Sequence, residues 1–503
     1  MELGSKSNRS FNNLPEEIVE KILWYLSPYR ECDDAARVCK VWNRLIHGIQ
    51  QRRYHAFRNN TQDGKIRWSH KQCPQTPVTA RHSHSACYVD GNMYIFGGSS
   101  VSETTFNDIW KLDLTSRKWS RVIASGSGPR SMPSPRASAS MVYYKGLLIV
   151  FGGWAPPLPS PLYPAPRFYN ELHVYDMALN QWSAITTSVT PPPMAGHRAT
   201  VVKNKMIIFG GWHVQERSND IWVLNMDKME WHKQDTKQPK PLERSGHGQI
   251  KINDQYQLII GGWGKNGMLC DDIWLLHMDP CLPWNWTPIQ IDNAAHSPPE
   301  IWCHPVVKVG NSVVVYSRSK RPQHKHHNPC ISSMRTGPRA SNELREAVPV
   351  ANNIDNCVNG IRGSLQKSAT DNSYENRDQP LTSKTNSAFC GQDYPGLHCS
   401  CKWPTKAQTQ STLLVRSPLQ LYILDITNVL SDHIVKWRVA VQNGNQVSDQ
   451  IRAFPLDHRP PPERISFYSV VLGQAEMVMF GGAVMDPEVG RRTTAVNSAH
   501  FAC

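Results

Sequence analysis

Short apolar segments that end in paired glycines recur along this chain of 503 residues. Each contains three or four apolar residues before the glycines, which suits a short buried β-strand and is too short for a helix. The five segments span residues 93–98, 148–153, 206–211, 258–262 and 477–482. The first glycines of the first four pairs are 55, 58 and 51 residues apart. Repetition at a fixed interval of this size predicts copies of one supersecondary unit that pack against each other.

The spacing beyond each glycine pair is repeated as well. After each of the first four pairs, an Asn or Asp followed by an acidic residue begins another apolar segment, and a Trp closes the unit. The positions are Asn107 with Trp119, Asn170 with Trp182, Asn219 with Trp231, and Asp271 with Trp286. Each unit is therefore predicted to be a four-stranded antiparallel blade. Its glycines allow a positive φ and close backbone approach, and its Trp fills the gap between blades. A β-sandwich with chance glycine pairs is the remote alternative.

These spacings resemble the Kelch repeat, whose period is roughly 50 residues, and the resemblance implies a β-propeller. A fifth unit is degenerate because Ser317-Arg318 replaces the glycine pair, and its second half resumes near residue 421. The sixth unit has no closing Trp, but Trp68 precedes His84 by 16 residues, as Trp231 precedes His247. We therefore expect residues 66–70 to complete a six-bladed ring, which removes exposed sheet edges.

Residues 14–58 have a helical period instead. Leu14-Pro15 begins a helix on which Ile18, Ile22, Leu23 and Leu26 share one face. A second helix is predicted through residues 35–46, with Gly48 as its stop. About forty residues cannot form a self-sufficient core, so we expect this module to complete itself on a partner.

The Leu-Pro start, the amphipathic helix and the segment Val38-Cys39 with Trp42 resemble the F-box. The resemblance implies docking onto the Skp-type adaptor of a cullin–RING (SCF) ubiquitin ligase. The alternative is a small helical cap that packs only on the propeller. The residues implied in adaptor binding are Leu14, Pro15, Ile18, Ile22, Leu26, Val38, Cys39 and Trp42.

The two resemblances together imply a mainly β protein, a six-bladed Kelch β-propeller preceded by a small all-α F-box. They imply a non-catalytic substrate receptor whose propeller binds a protein target. A Kelch interaction scaffold without ubiquitin transfer is the second hypothesis, and a propeller enzyme is a third. The predicted organisation is a flexible tail over 1–13, the F-box over 14–58, a linker with the closing strand over 59–75, blades over 76–317 and 416–503, and a disordered basic insert over 318–415.

Two sets of residues should meet on one face of the ring, because the start of a first strand and the end of a second strand emerge together. Arg and exposed Trp are residues that protein-binding hot spots favour. The alternative is that the Trp pack sideways against adjacent loops and the His satisfy strand-end backbone groups. The residues predicted to bind substrate are Arg81, His84, Arg136, Trp154, His197, Trp212, Arg244, His247 and Trp263.

The charge distribution and the cysteine content do not predict a nucleic-acid, cofactor or metal site. The net charge is +14, but residues 1–75 and 318–415 carry most of the excess, and the remainder carries only +3. Nucleic-acid binding is therefore not predicted. No phosphate loop, nucleophile motif or metal motif is present, so we predict neither cofactor nor metal. The group Cys390, His398, Cys399 and Cys401 has the wrong spacing for zinc, and residues 324–327 are read as a solvated run.

Cellular location is predicted from the same sequence features. No apolar run is long enough to span a membrane, and the first thirteen residues lack the apolar stretch of a secretion signal. Thirteen cysteines in so long a chain do not form a disulfide framework. We therefore expect a cytoplasmic or nuclear protein.

Overall fold

The computed structural model describes residues 14–66, 68–71, 77–128, 130–157, 165–214, 216–318, 419–439, 465–485, 492–495 and 498–503. The predicted tail over 1–13 lies outside these residues, and so does the predicted insert beyond residue 318. The cysteine and histidine groups weighed as metal sites, at 390–401 and 324–327, are also outside them.

Three helices begin the described chain: α1 (Glu16–Leu23), α2 (Arg30–Ala36) and α3 (Lys40–Gln62). The prediction of a second helix that passes through residues 35–46 and stops at Gly48 is wrong. The chain leaves the helix between α2 and α3, and α3 then continues through Gly48. Ile49 packs in the helical core and Phe57 packs against the propeller. This burial outweighs the cost of about 1 kcal/mol for one glycine inside a helix.

Six antiparallel blades follow the helices. Blade 1 consists of the second to fifth strands of the chain. Blades 2 and 3 each contain four long strands, and short accessory strands lie between these in the sequence. In chain order the strands are β1 Trp68–Lys71, β2 Ser85–Val89, β3 Asn92–Phe96, β4 Ile109–Asp113, β5 Lys118–Val122, β6 Ser125–Gly126, β7 Ser140–Tyr144, β8 Leu147–Phe151, β9 Trp154–Ala155, β10 Arg167–Phe168, β11 Leu172–Asp176, β12 Gln181–Ile185, β13 Arg198–Val202, β14 Lys205–Phe209, β15 Trp212–His213, β16 Glu216–Arg217, β17 Ile221–Asn225 and β18 Glu230–Gln234.

The remaining blades are built in the same way. Blade 4 contains β20–β23, blade 5 contains β25–β28, and blade 6 contains β30, β31, β34 and β1. These strands are β19 Arg244–Ser245, β20 Gly248–Lys251, β21 Tyr256–Gly264, β22 Leu269–His277, β23 Asn285–Pro288, β24 Gln290–Ile291, β25 Val306–Val309, β26 Ser312–Ser317, β27 Gln420–Asp425, β28 Ile434–Val439, β29 Ile465–Ser466, β30 Ser469–Leu472, β31 Met477–Phe480, β32 Ala483–Met485, β33 Arg492–Ala495 and β34 Ala499–Ala502.

The ring closes through a strand from the opposite end of the chain. β1 pairs antiparallel with β34, with Trp68 opposite Ala502 and Lys71 opposite Ala499. β34 pairs in turn with β31. The sixth blade therefore contains the N-terminal strand that the Trp-to-His spacing predicts.

The glycine pairs join each blade to the next one. The second glycine donates its N–H to a carbonyl of the following blade, and a Cβ on the first glycine would lie 2.5–2.9 Å from that same oxygen. A side chain is therefore excluded there, as the repeat predicts. The bonds run from Gly98 to Arg136 (2.9 Å), Gly153 to Met194 (2.8 Å), Gly211 to Arg244 (2.9 Å), Gly262 to Ile301 (2.9 Å) and Gly482 to Arg81 (2.9 Å).

In five of the six blades, the closing Trp packs on the aromatic residue at the end of the second strand of the preceding blade. Such contacts add to the stability that burial of a large apolar ring provides. Ring centroids are 4.6 Å apart for Trp119 and Phe480, 5.5 Å for Trp182 and Phe96, 4.9 Å for Trp231 and Phe151, 5.1 Å for Trp286 and Phe209, and 4.8 Å for Trp68 and Tyr316. Trp68 thus holds the position of a sixth closing Trp.

Candidate functional site

The helical segment leaves part of its apolar surface uncovered. Val19 and Leu23 of α1 pack on residues of α3 to form a small core. Leu23 therefore lies in this core and does not share an exposed face with Ile18 and Ile22, as the sequence had predicted. The residues predicted to bind an adaptor form what we call the adaptor surface. Leu14, Ile18, Ile22 and Val38 are 38%, 45%, 42% and 63% exposed, Pro15 and Cys39 are exposed, and Leu26 and Trp42 are half-buried.

Two aromatic residues fix the helices to the propeller. Tyr29, 1% exposed, packs in the core of blades 1 and 6 and donates its hydroxyl to Glu476. Glu476 is also held by two 2.8 Å bonds from Arg117 of blade 1. Phe57 of α3 packs in the core of blades 5 and 6. Tyr29 lies against Gly91 and Gly473, in the turns between the first and second strands of blades 1 and 6, so the helices occupy the face opposite to the glycine pairs.

Three of the arginines predicted to bind substrate are buried instead. Arg81 donates to both carboxylate oxygens of Asp108, at 2.6 and 3.1 Å, and to the carbonyl of Gly97 at 2.9 Å. Arg244 does the same with Asp272 and Gly261, and Arg136 bonds Glu171 and Gly152. Burial disfavours the Asp108 carboxylate, but the hydrogen bonds from Arg81 outweigh it and hold its pKa below the usual value.

Each of these arginines is at most 1% exposed and neutralises the acidic residue at the start of the third strand of its own blade. Substrate binding by these arginines stays a prediction. The recurring acidic residue in the repeat thus has a structural function.

The three predicted histidines are also buried, and substrate binding by them stays a prediction as well. His84, His197 and His247 are at most 7% exposed, and their rings pack on Phe480, Phe151 and Phe209 of the preceding blade. His84 and His197 bond Ser469 and Ser140 of that blade, at 2.6 and 2.9 Å. Burial lowers the pKa of His84 and His197 to about 3, so both rings are neutral at pH 7.

The predicted tryptophans remain on the glycine-pair face, where they are half-buried. Trp212 contacts Trp154 at 6.1 Å and Phe168 at 4.6 Å between ring centroids. Trp263 contacts Trp302 at 4.2 Å, and Trp302 contacts Phe467 at 5.2 Å. The sequence did not single out Trp302, although it lies two residues before His304, in the segment that leads into the first strand of blade 5. Binding of substrate by Trp154, Trp212 and Trp263 stays a prediction.

A ring of backbone bonds surrounds the propeller axis on this face. It links one residue from each blade, with φ between +54° and +63°, and we call it the channel mouth. Five of these six N–H groups donate to the carbonyl of the preceding blade: Ser83 to Phe467 (2.8 Å), Ser138 to Ser83 (2.8 Å), Gly196 to Ser138 (3.0 Å), Gly246 to Gly196 (2.8 Å) and Cys303 to Gly246 (2.8 Å).

Metal-ligating side chains do not cluster in the described residues. Among them, no group of three or more His, Cys, Asp or Glu side chains is placed to hold a metal ion. A cavity of about 700 Å³ opens between blades 3 and 4 on the same face as the helices, lined in part by Lys203, Lys205 and Lys251. None of the described helices has the length and apolar character that crossing a membrane requires.

Comparison with known proteins adds two family matches. Residues 11–54 match the family described as F-box-like, and residues 81–284 match the family described as FBX42, beta-propeller domain. Kelch domain-containing protein 1 of Mus musculus is 27% identical over 266 residues, which is 49% of this chain and 63% of that protein. Acyl-CoA-binding domain-containing protein 5 of Arabidopsis thaliana is 29% identical over 219 residues, or 42% of this chain and 32% of that protein.

The chain thus spans less than two thirds of the length of these relatives. The solved structure of YjhT shows 18% identity and a TM-score of 0.39, covering 48% of this chain and 73% of that one. Together, the matches to both segments and the six blades support an F-box/Kelch protein, in which an F-box-like helical segment precedes a six-bladed β-propeller.

Proposed function

We propose that this chain is the substrate-recognition subunit of an SCF-type E3 ubiquitin ligase. On this proposal the helices bind a Skp-type adaptor, which connects the chain to a cullin and a RING protein, and the propeller binds a target protein. The chain supplies no catalytic group; it raises the local concentration of target lysines beside the conjugating enzyme. The finer resemblance to the "just one F-box and Kelch domain" protein and a cytoplasmic or nuclear location are parts of the same proposal.

The observation that carries the proposal is the exposure of the adaptor surface. Ile18, Ile22 and Val38 are 42–63% exposed although the helical segment has its own small core. Burying one such side chain contributes ~1.5–3 kcal/mol when it is fully removed from water. A partner that covers the adaptor surface would therefore gain several times this amount, whereas a cap that served only the propeller would turn these residues inward.

The attachment of the helices supports the same function. Tyr29 and Phe57 are 1% and 3% exposed and belong to propeller cores, so the adaptor surface has a fixed direction relative to the blades. The channel mouth lies on the opposite face. A target bound there would be held at a defined distance from the adaptor, which is what transfer by proximity requires.

Adaptor capture tests the proposal directly. The purified chain should bind a purified Skp-type adaptor in calorimetry, and the double variant Ile18→Glu/Ile22→Glu should lose at least about 3 kcal/mol of binding free energy. Both side chains point away from the helical core, so the variant should fold. Ile123→Glu is the matched control, because Ile123 is 82% exposed beyond β5 and far from the adaptor surface in sequence.

The result also separates the two leading hypotheses. If the wild-type chain fails to bind the adaptor, the ligase proposal is wrong, and an interaction scaffold without ubiquitin transfer is left. If it binds and the double variant does not, reconstitution with cullin, RING protein and a captured target should give ubiquitinated target.

A further inference from the structure

We propose that the cavity between blades 3 and 4 binds a small organic anion, a molecule with an aromatic or short aliphatic body and one carboxylate, sulfonate or phosphate group. The cavity opens on the face that carries the helices, and none of the residues predicted from the sequence to bind substrate lines it. The inference goes beyond the proposed function and does not depend on it, because it concerns the propeller alone.

An extended turn of blade 4 forms one wall of the cavity. Four residues separate the third and fourth strands of blades 1, 2 and 3, at 114–117, 177–180 and 226–229, whereas seven, 278–284, separate them in blade 4. The opposite wall comes from the turns between the first and second strands of blades 3 and 4. The volume of about 700 Å³ lies within the ~300–1,000 Å³ that small-molecule sites occupy. The extended turn contributes Met278, Asp279, Pro280 and Trp284.

Hydrogen bonds hold the extended turn in place. The N–H of Met278 donates to the carbonyl oxygen of Gln255 at 2.7 Å. The carbonyl oxygen of Trp284 accepts a 3.0 Å bond from the N–H of Lys237. Within the turn, Oδ1 of Asp279 accepts the N–H groups two and three positions further on, at 2.7 and 3.0 Å. A site whose walls are already ordered loses little conformational entropy when a ligand binds.

The buried residues that line the cavity are all apolar. They are at most 6% exposed and belong to one core cluster between blades 3 and 4. Because a packed core is rigid, these side chains form a fixed apolar surface on which a ring or an aliphatic chain can pack. The four residues are Val202, Ile207, Met278 and Trp284.

The outer part of the cavity carries three lysines. Lys251 pairs with Asp254 at 2.7 Å. Lys203 and Lys205 are exposed, and neither forms an ion pair with an acidic residue of the described chain. The remaining acidic residue, Asp279, accepts two N–H groups of its own turn. Two lysines without a carboxylate partner therefore lie beside an apolar surface, which is the arrangement that an organic anion requires.

Neighbouring titratable groups respond to the positive charge of these lysines. The hydrogen bond from Lys251 lowers the pKa of Asp254, and the charge of Lys203 lowers it further. Burial lowers the pKa of Lys308, and the charge of Lys251 adds to this effect. A positive potential of this kind raises the local concentration of anions.

Ligand-observed fluorine NMR with the full chain tests the site. The probe is a fluorinated naphthoate, and its primary amide is the matched neutral compound of nearly the same shape. We expect saturable binding of the acid below ~1 mM and at least about tenfold weaker binding of the amide. Lys203→Met/Lys205→Met should bind the acid at least about tenfold more weakly and the amide as the wild type does. Because both lysines are exposed, this variant should keep the wild-type melting temperature.

Two control variants locate the binding. Lys118→Met/Arg121→Met removes two exposed positive charges from β5 and should leave the affinity for naphthoate unchanged. Ile18→Glu/Ile22→Glu should also bind naphthoate normally, because the adaptor surface is separate from the cavity. The proposal is overturned if the wild type binds no naphthoate, if the amide binds as tightly as the acid, or if Lys203→Met/Lys205→Met retains the wild-type affinity. Loss of naphthoate binding in either control variant overturns it as well.

This result and the result of adaptor capture are independent. Adaptor binding uses the helices, so failure to bind naphthoate leaves the ligase proposal unaffected. Failure to bind the adaptor leaves the anion site unaffected, since the site is built from blades 3 and 4 only.

Discussion

The buried ion pair of blade 1 gives the sharpest test of which residues are structural. Asp108→Asn removes one charge and leaves the guanidinium of Arg81, which is 0% exposed, without a counter-ion. Removing one partner of a buried pair costs about 3–5 kcal/mol. The bond from Arg81 to the Gly97 carbonyl, at 2.9 Å, persists in the variant. We therefore expect a loss near the lower limit, about 3 kcal/mol.

Urea unfolding of matched variants measures this loss. Asp292→Asn is the control, because Asp292 pairs with Lys436 at 3.1 Å and both side chains are more than half exposed. An exposed pair of this kind contributes less than about 1 kcal/mol. A double-mutant cycle of Asp108→Asn with Arg81→Met should give a coupling energy of about 2 kcal/mol. The stability that Asp108 provides is present above pH 3.8 and is lost as the pH falls through its lowered pKa.

Two results would refute the reasoning. One is an Asp108→Asn variant that loses no more stability than Asp292→Asn. The other is an Arg81→Met variant that keeps its stability but loses binding of a target protein, because Arg81 would then be a binding residue, as the sequence first suggested.

Two further predictions concern the contacts between blades. Gly152→Ala should destabilise the propeller by more than about 3 kcal/mol, because φ is +69° and the new Cβ would lie 2.7 Å from the carbonyl of Met194. Gly146→Ala, with φ of +83° and no neighbour within 4 Å, should cost only the backbone strain of about 1–2 kcal/mol; equal melting temperatures for the two variants would contradict the steric argument. The free energy of unfolding should also fall as the pH is lowered from 6.5 to about 3. In this range His197 is protonated in the unfolded chain but stays neutral in the folded protein, because burial lowers its pKa to about 3. His197→Gln should reduce this slope by up to ~1.4 kcal/mol per pH unit, and an unchanged slope in acid titrations followed by fluorescence would argue against a neutral buried ring.

The repeat spacing was sufficient to predict the ring because it reports contacts that every blade makes. Gly97 and its equivalents must lack a side chain, and Trp119 and its equivalents must fill the same gap, so both recur at fixed intervals. Trp68 follows the same rule, which is why its spacing to His84 indicated the closing strand. Residues of this kind are constrained by local geometry that repeats along the chain.

The burial of side chains at the ends of strands could not be predicted in this way. Arg81 and His84 lie at the correct end of the blade, but their side chains turn inward toward Asp108 and Ser469. The partner of Arg81 is 27 residues further along the chain, so alternation within one strand carries no information about it.

Pairing of β1 with β34 also affects the order in which the protein can form during synthesis. The ribosome produces the helices and β1 first, yet β1 has no pairing partner until residues 499–502 have emerged. Bringing such distant ends together costs loop-closure entropy, which grows slowly with the length of the chain between them. The residues of the adaptor surface are thus translated long before the ring beside them can close. On the proposed function, only a chain translated through its last blade would be able to hold both partners at once.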